Sequence, residues 1–153
     1  MVLKFNDFNS VNENFTIIKD RLNMGTTIRF DIFDQGEKVG TINMSTDEYD
    51  YLEIPDELGG KCIYLSYIQI DEYYQRRGYF KKAMNWIFNN FRQYDYLVLR
   101  VSDDSEVSFH TLKNIYTKLG FISFNPEEVY DTHYVNDYII SPKDEELFMY
   151  IKL

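Results

Sequence analysis

The chain has 153 residues, enough for one ordinary domain with a real core. Apolar residues at 44% and charged residues at 27% exclude wholesale disorder, and an aromatic content of 18% favours a sheet-rich, tightly packed interior. Sixteen basic against 25 acidic residues give a formal charge of −9, which excludes unaided binding to nucleic-acid phosphates or an anionic membrane and leaves room for a cationic partner.

The opening residues Met1–Ser10 lack the basic start and apolar run of a secretory signal, and no window approaches the roughly 20 apolar residues of a membrane span. A soluble, cytoplasmic protein is therefore expected. No repeat, linker or low-complexity tract interrupts the chain, so one domain is expected over residues 1–153, with 1–25 as a distinct N-terminal segment. Phe15–Lys19 reads as a short strand. Thr26–Asp34 alternates around Ile28, Phe30 and Ile32, and Val39–Met44 around Val39, Thr41 and Asn43; the turn Gln35–Gly36–Glu37 makes them a β-hairpin. Thr46–Gly60 is a loop with six acids and no Lys or Arg. Lys61–Asp71 is a long strand, and the lone Cys62 within it excludes an internal disulfide and reads as a small buried hydrophobe.

The period then changes. From Tyr79 to Phe91, the residues Phe80, Met84, Ile87, Phe88 and Phe91 form the stripe of an amphipathic helix. Tyr96–Val101 is continuously apolar, as at the centre of a covered sheet. Asp103 and Glu106 have the spacing to cap a second helix, whose face is Leu112, Ile115, Tyr116 and Leu119 and whose stop is Gly120. Phe121–Phe124 and Glu146–Lys152 are the last strand candidates, joined by an acidic, Tyr-rich connection. This order of strands followed by β–α–β–α–β–β predicts an α/β or α+β sandwich around a mixed sheet.

One junction concentrates chemistry. Ile68–Gln69–Ile70 ends a strand, and Gln75–Arg76–Arg77–Gly78 opens a helix whose first turns carry Lys81 and Lys82. Unpaired amides at a helix start select an anion, and a pyrophosphate would suit a site with this much positive charge. An ordinary β–α turn with solvated basic residues explains the same residues equally well. Tyr116 likewise reads either as a core residue or as a proton donor.

The segment Gln75–Arg76–Arg77–Gly78–Tyr79–Phe80 resembles motif A of the GNAT N-acetyltransferases, Q/R-x-x-G-x-G/A. The segment Leu112–Phe121 resembles their motif B, A-x-x-L-Y-x-K-x-G-F, and Glu146–Leu153 resembles their closing strand. The resemblance spans about Thr26 to Leu153. It implies a mixed, mostly antiparallel twisted sheet flanked by helices. It implies acetyl-CoA as cosubstrate, with no metal. The backbone of Ile68, Gln69 and Ile70 would pair with the pantetheine arm, and amides of Gln75, Arg76, Arg77, Gly78, Tyr79, Phe80 and Lys81 would hold the pyrophosphate. Tyr116 would protonate the departing thiolate, a role a phenol suits because it keeps its proton at neutral pH.

Four positions depart from the pattern. Phe80 replaces a small residue, Glu72 a common Pro, Phe109 an Asn that touches CoA, and Tyr64 stands nearest the usual strand Glu. A phenol is a poor base near pH 7, so the base is left to a water relay or a loop acid. The helix pair that most relatives carry between their first two strands has no room before Thr26, so residues 1–25 replace it irregularly or that wall is missing. His110 and His133 read as surface residues. The acidic stretches Asp47–Glu57 and Glu127–Glu146 either steer a cationic amine or form a solvated face. The expected reaction moves an acetyl group to a primary amine of a small molecule or a protein. A homodimer stays open. The alternatives are a CoA-binding sensor that has lost turnover and an acidic interaction module.

Overall fold

The computed structural model describes residues 14–21, 25–46, 60–102, 107–124 and 146–153. The acidic loops, Asp103, Glu106 and His133 lie outside these residues, as does most of the N-terminal segment. The elements are β1 (Phe15–Lys19), β2 (Thr27–Asp34), β3 (Glu37–Ser45), β4 (Cys62–Ile70), a 3-10 turn (Glu72–Tyr74), α1 (Tyr79–Asn90), β5 (Tyr96–Ser102), α2 (Phe109–Lys118), β6 (Ile122–Phe124) and β7 (Glu146–Lys152). The strands form one sheet in the order β1-β2-β3-β4-β5-β7-β6. Only β4 and β5 pair in parallel; every other neighbour is antiparallel.

The expected hairpin is present, with Asp34 opposite Glu37 and positive φ at both Gln35 (51°) and Gly36 (81°). That is the mirror-image turn whose twist matches paired strands. Residues 20–26 alone join β1 to β2, which are directly paired, so no helix pair separates them.

Both helices pack on one face of the sheet. The cause is the handedness of the connections. From β4 through α1 to β5, and from β5 through α2 to β6, the chain crosses between parallel strands in the same direction along the sheet. Right-handed crossovers then put both helices on the same side. Ala83, Met84 and Ile87 of α1 and Tyr116 of α2 are buried there against Ile42, Met44, Ile63, Leu65, Leu97 and Leu99. Each such aliphatic side chain contributes about 1.5–3 kcal/mol of burial, so this single cluster dominates the stability of the fold. The opposite face holds a smaller buried group of Tyr64, Val98 and Phe148.

Helix α2 begins five residues later than a cap at Asp103 would place it. Its N-cap is Ser108, whose hydroxyl accepts from the Thr111 N–H at 3.3 Å. At its end, Gly120 N–H donates to the Thr117 carbonyl and Phe121 N–H to the Tyr116 carbonyl, both at 3.0 Å. With Gly120 at φ 103°, this is the paired C-terminal motif that a left-handed residue allows. It holds Tyr116 by its own backbone.

Candidate functional site

The sheet opens where its one parallel pair ends. The β4–β5 ladder stops at Leu65 opposite Leu99. Strand β4 continues to Ile70 bonded only to β3, and β5 continues to Ser102 bonded only to β7. A bulge starts the divergence: Asn43 pairs with Tyr67 and Met44 with Leu65, so Ser66 is the extra residue. Bulges bend and twist the strand that carries them. The edge of β4 at Ile68, Gln69 and Ile70 therefore faces a wedge rather than a strand. It lies at the C-terminal ends of parallel strands, where open sheets with helical crossovers form ligand crevices.

The connection from β4 to α1 closes the same end. Gln75 Nε2 donates to the Ile70 carbonyl at 3.0 Å and caps the strand end, while the Gln75 N–H is taken by the Glu72 carbonyl at 3.3 Å. Arg76 is left-handed at φ 63°, and so is Gly78 at φ 82°, ψ 6°. Gly78 is the N-cap of α1 and supplies no side-chain cap; the first helical bond is Lys82 N–H to the Gly78 carbonyl at 3.2 Å. The amides of Tyr79, Phe80 and Lys81 thus have no partner within the helix, and the helix dipole adds partial positive charge. A Cβ built on Gly78 meets nothing within 4 Å among the described residues, so the turn itself is open on that side.

The four cations differ in placement. Arg76 and Lys81 are exposed. The Arg77 guanidinium lies 4.7 Å over Tyr73, and Lys82 Nζ lies 5.4 Å over Tyr79. None of the four forms an ion pair with a carboxylate among the described residues.

Phe80 turns inward. Its ring meets Tyr116 edge-on at 6.0 Å, so the first turn of α1 and the phenol of α2 touch directly. Phe121 closes the other side at 5.4 Å. Tyr116 is 8% exposed, and burial pushes its phenol up to about 12. It holds its proton throughout the neutral range.

Other expected positions are ordinary. Tyr64 is buried on the face opposite α1 and α2, and Phe109 packs at the margin of the main core. Burial, then the charge of Asp95, raises the Cys62 thiol, the opposite of an activated nucleophile. His110 is exposed. Among the described residues no group of His, Cys, Asp and Glu could hold a metal. A cavity of about 370 Å³ lined by Thr46, Lys61, Cys62, Gln93 and Tyr94 lies at the start of β4, away from the wedge.

One residue escaped the sequence reading as a site candidate. Asn43 lies across from Tyr67, next to the bulge, and its Oδ1 is buried without a hydrogen-bond partner. Its neighbours Ile42 and Met44 belong to the helix-side core, so Asn43 faces the other side. A buried orphan oxygen costs stability unless a ligand completes it. Nothing local in sequence marks it, because the bulge that places it is a cross-strand event.

Residues 7–121 match the family profile described as the acetyltransferase (GNAT) family. No curated protein matches the sequence closely enough to count as a relative. Among solved structures, a Bacillus subtilis acetyltransferase in complex with CoA is similar at TM-score 0.60 and 12% identity, covering 91% of this chain and 99% of its own. The Vibrio cholerae spermidine/spermine N-acetyltransferase is similar at TM-score 0.54 and 16% identity, covering 97% and 76%. The Escherichia coli ribosomal-protein-S18-alanine N-acetyltransferase is similar at TM-score 0.53 and 14% identity, covering 96% and 75%. At such identities the likeness concerns the fold.

Proposed function

The chain belongs to the acetyltransferase (GNAT) family, and from that premise we propose that it transfers an acetyl group from acetyl-CoA to a primary amine by direct attack. The observation that carries this reading is the wedge between β4 and β5, with the open Gly78 helix start at its mouth and Tyr116 one ring away. In this reading the free edge at Ile68–Ile70 pairs with the pantetheine amides. Backbone amides from Arg76 to Lys81 hold the pyrophosphate, and the charges of Arg76 and Lys81 draw it in.

The amine nitrogen attacks the thioester carbonyl carbon, the C–S bond breaks, and Tyr116 gives its proton to the thiolate. A phenol held near 12 keeps its proton through the neutral range and can offer it in a hydrogen bond to the departing thiolate. The proton of the attacking ammonium leaves through water, since β4 carries no carboxylate before Asp71. Asn43 Oδ1 is suited to accept a hydrogen bond from that ammonium on the face opposite α1 and α2. A cationic small molecule and a protein Lys or N-terminal amine both fit a −9 chain. The similar structures act on both kinds of acceptor, spermidine or spermine in one and a ribosomal-protein alanine in another.

The test is a panel of polyamines, aminoglycosides and Lys or N-terminal peptides with acetyl-CoA, followed by thiol release and product mass. An acetylated amine is expected. Binding of acetyl-CoA with no amine accelerating thiol release would move the assignment to a CoA-binding sensor.

A further inference from the structure

The tip of the β2–β3 hairpin carries an acid on each side, and Asp34 and Glu37 are register partners. Like charges directly opposite weaken a strand pair. Here each carboxylate meets a phenol from the β4–α1 connection. Tyr79 donates to Asp34 Oδ2, and Tyr74 donates to Glu37 Oε2 at 2.5 Å. Tyr74 immediately precedes the Gln75–Gly78 turn and Tyr79 immediately follows it, so the two bonds grip the turn at both ends. A third tie, Asp71 N–H to the Val39 carbonyl at 2.8 Å, anchors the start of the connection on the same hairpin.

Rings and cations extend the contact. Arg77 lies over Tyr73 and Tyr74, at 4.7 and 5.7 Å, and the Tyr74 and Tyr79 rings meet edge-on at 6.2 Å. Phe15 of β1 stacks on Tyr79 at 6.3 Å, and Lys82 lies against both rings. The hydrogen bonds to Glu37 and Asp34 raise the Tyr74 and Tyr79 phenols, so both remain donors at neutral pH.

The turn between them needs such support. It holds a left-handed Arg76 as well as Gly78, and a non-glycine residue in that region persists only where its surroundings over-determine it. The hairpin tip would otherwise place two bare carboxylates beside a phosphate site. We propose that Tyr74 and Tyr79 are positioning residues for cofactor binding: bonded to Glu37 and Asp34, they hold the Arg76–Gly78 turn in its anion-binding shape and cover two charges that would repel the phosphates. This rests on the reading that the turn takes the cofactor pyrophosphate.

The test measures acetyl-CoA affinity by calorimetry for the parent, Tyr74→Phe, Tyr79→Phe and the double variant, with the melting temperature of each free protein and kcat for a good acceptor. Each phenylalanine variant keeps its ring and loses a bond to a carboxylate, so binding is expected to weaken about 10-fold, and the double variant by about 50- to 100-fold. The value of kcat at saturating acetyl-CoA should stay within about 2-fold, because the phenols are remote from the reacting atoms. In the Tyr79→Phe background, Asp34→Asn removes the uncovered charge and should restore part of the lost affinity, the signature of a coupled pair. Should a phenylalanine variant fail to fold, Asp34→Ala and Glu37→Ala, which remove each acceptor together with its charge, should still weaken binding, by less than the loss of the phenol. Variants that bind like a parent that does bind, with only a lower melting temperature, overturn the proposal and leave the cradle standing. A parent that shows no acetyl-CoA binding overturns both. A fall in kcat with affinity retained also overturns it.

Discussion

Replacing Gly78 with alanine separates backbone strain from ligand contact. The residue sits at φ 82°, ψ 6°, and an L residue held in this left-handed region costs about 1–2 kcal/mol. The new Cβ meets no protein atom within 4 Å, so no clash adds to that figure. For a chain of this length 1 kcal/mol corresponds to about 2–4 °C, so the free variant should melt roughly 2–8 °C below the parent. In the proposed cradle the pyrophosphate lies against the amides of Tyr79 to Lys81, beside this residue. A methyl group there, displacing two charge-assisted hydrogen bonds of about 1.5 kcal/mol each, weakens acetyl-CoA about 100-fold. At a concentration 100 times the parent Kd, the ligand should stabilise the parent by about 2.7 kcal/mol, or about 5–10 °C. The same concentration should stabilise the variant by only about 0.4 kcal/mol, or about 1 °C. Thermal melts with and without acetyl-CoA give both terms from one sample. A variant that melts low yet shows the full parental rise on adding acetyl-CoA would refute the placement of the pyrophosphate at this turn.

Tyr116→Phe keeps the ring contacts with Phe80 and Phe121, so acetyl-CoA affinity should hold while thiol release with a good acceptor falls about 100- to 10,000-fold; parental turnover would make Tyr116 a core residue only. The Tyr116 phenol is raised from 10 to about 12, so the folded state binds a proton that the unfolded state has lost between those values. Its contribution is therefore complete below pH 10 and lost as pH rises through 12, and the melting temperature of the parent should fall more steeply there than that of Tyr116→Phe. Asn43→Val removes a buried oxygen with no partner, so the variant should be more stable by about 1 kcal/mol, read by denaturant titration. Its turnover should drop if that oxygen meets the amine; a stable variant with unchanged KM for the acceptor would show that it does not.

Much of this protein was legible in the order of its residues, because the relevant forces act between near neighbours. Alternation around Phe30 and Ile32 gave the half-buried β2, and the stripe from Phe80 to Phe91 gave the inward face of α1. Gln35–Gly36 and Gly120 marked turns at the positions where φ is positive. Gly78, followed by an amphipathic stretch and flanked by arginines, marked a helix start able to receive an anion. The cap of α2 was misplaced by the acidic spacing at Asp103 and Glu106. Ser108 caps because the helix needs its acceptor beside the Thr111 N–H, and several nearby polar residues compete for such a role.

Tertiary structure decided what depends on residues distant in sequence. Whether β4 and β5 stay paired past Leu65 is set by the Ser66 bulge against β3 and by β7 lying along β5, and neither is encoded within the strands that diverge. The orphan oxygen of Asn43 follows from the same register. So does the meeting of Tyr74 and Tyr79 with acids about 40 residues earlier, a contact with no local signal because four separate side chains must converge. Phe80, which in sequence only departs from a motif, becomes in space the contact between the helix start and Tyr116. Short-range periodicity is set by the backbone's own geometry, whereas register, bulges and converging side chains are set by how the whole sheet closes its core.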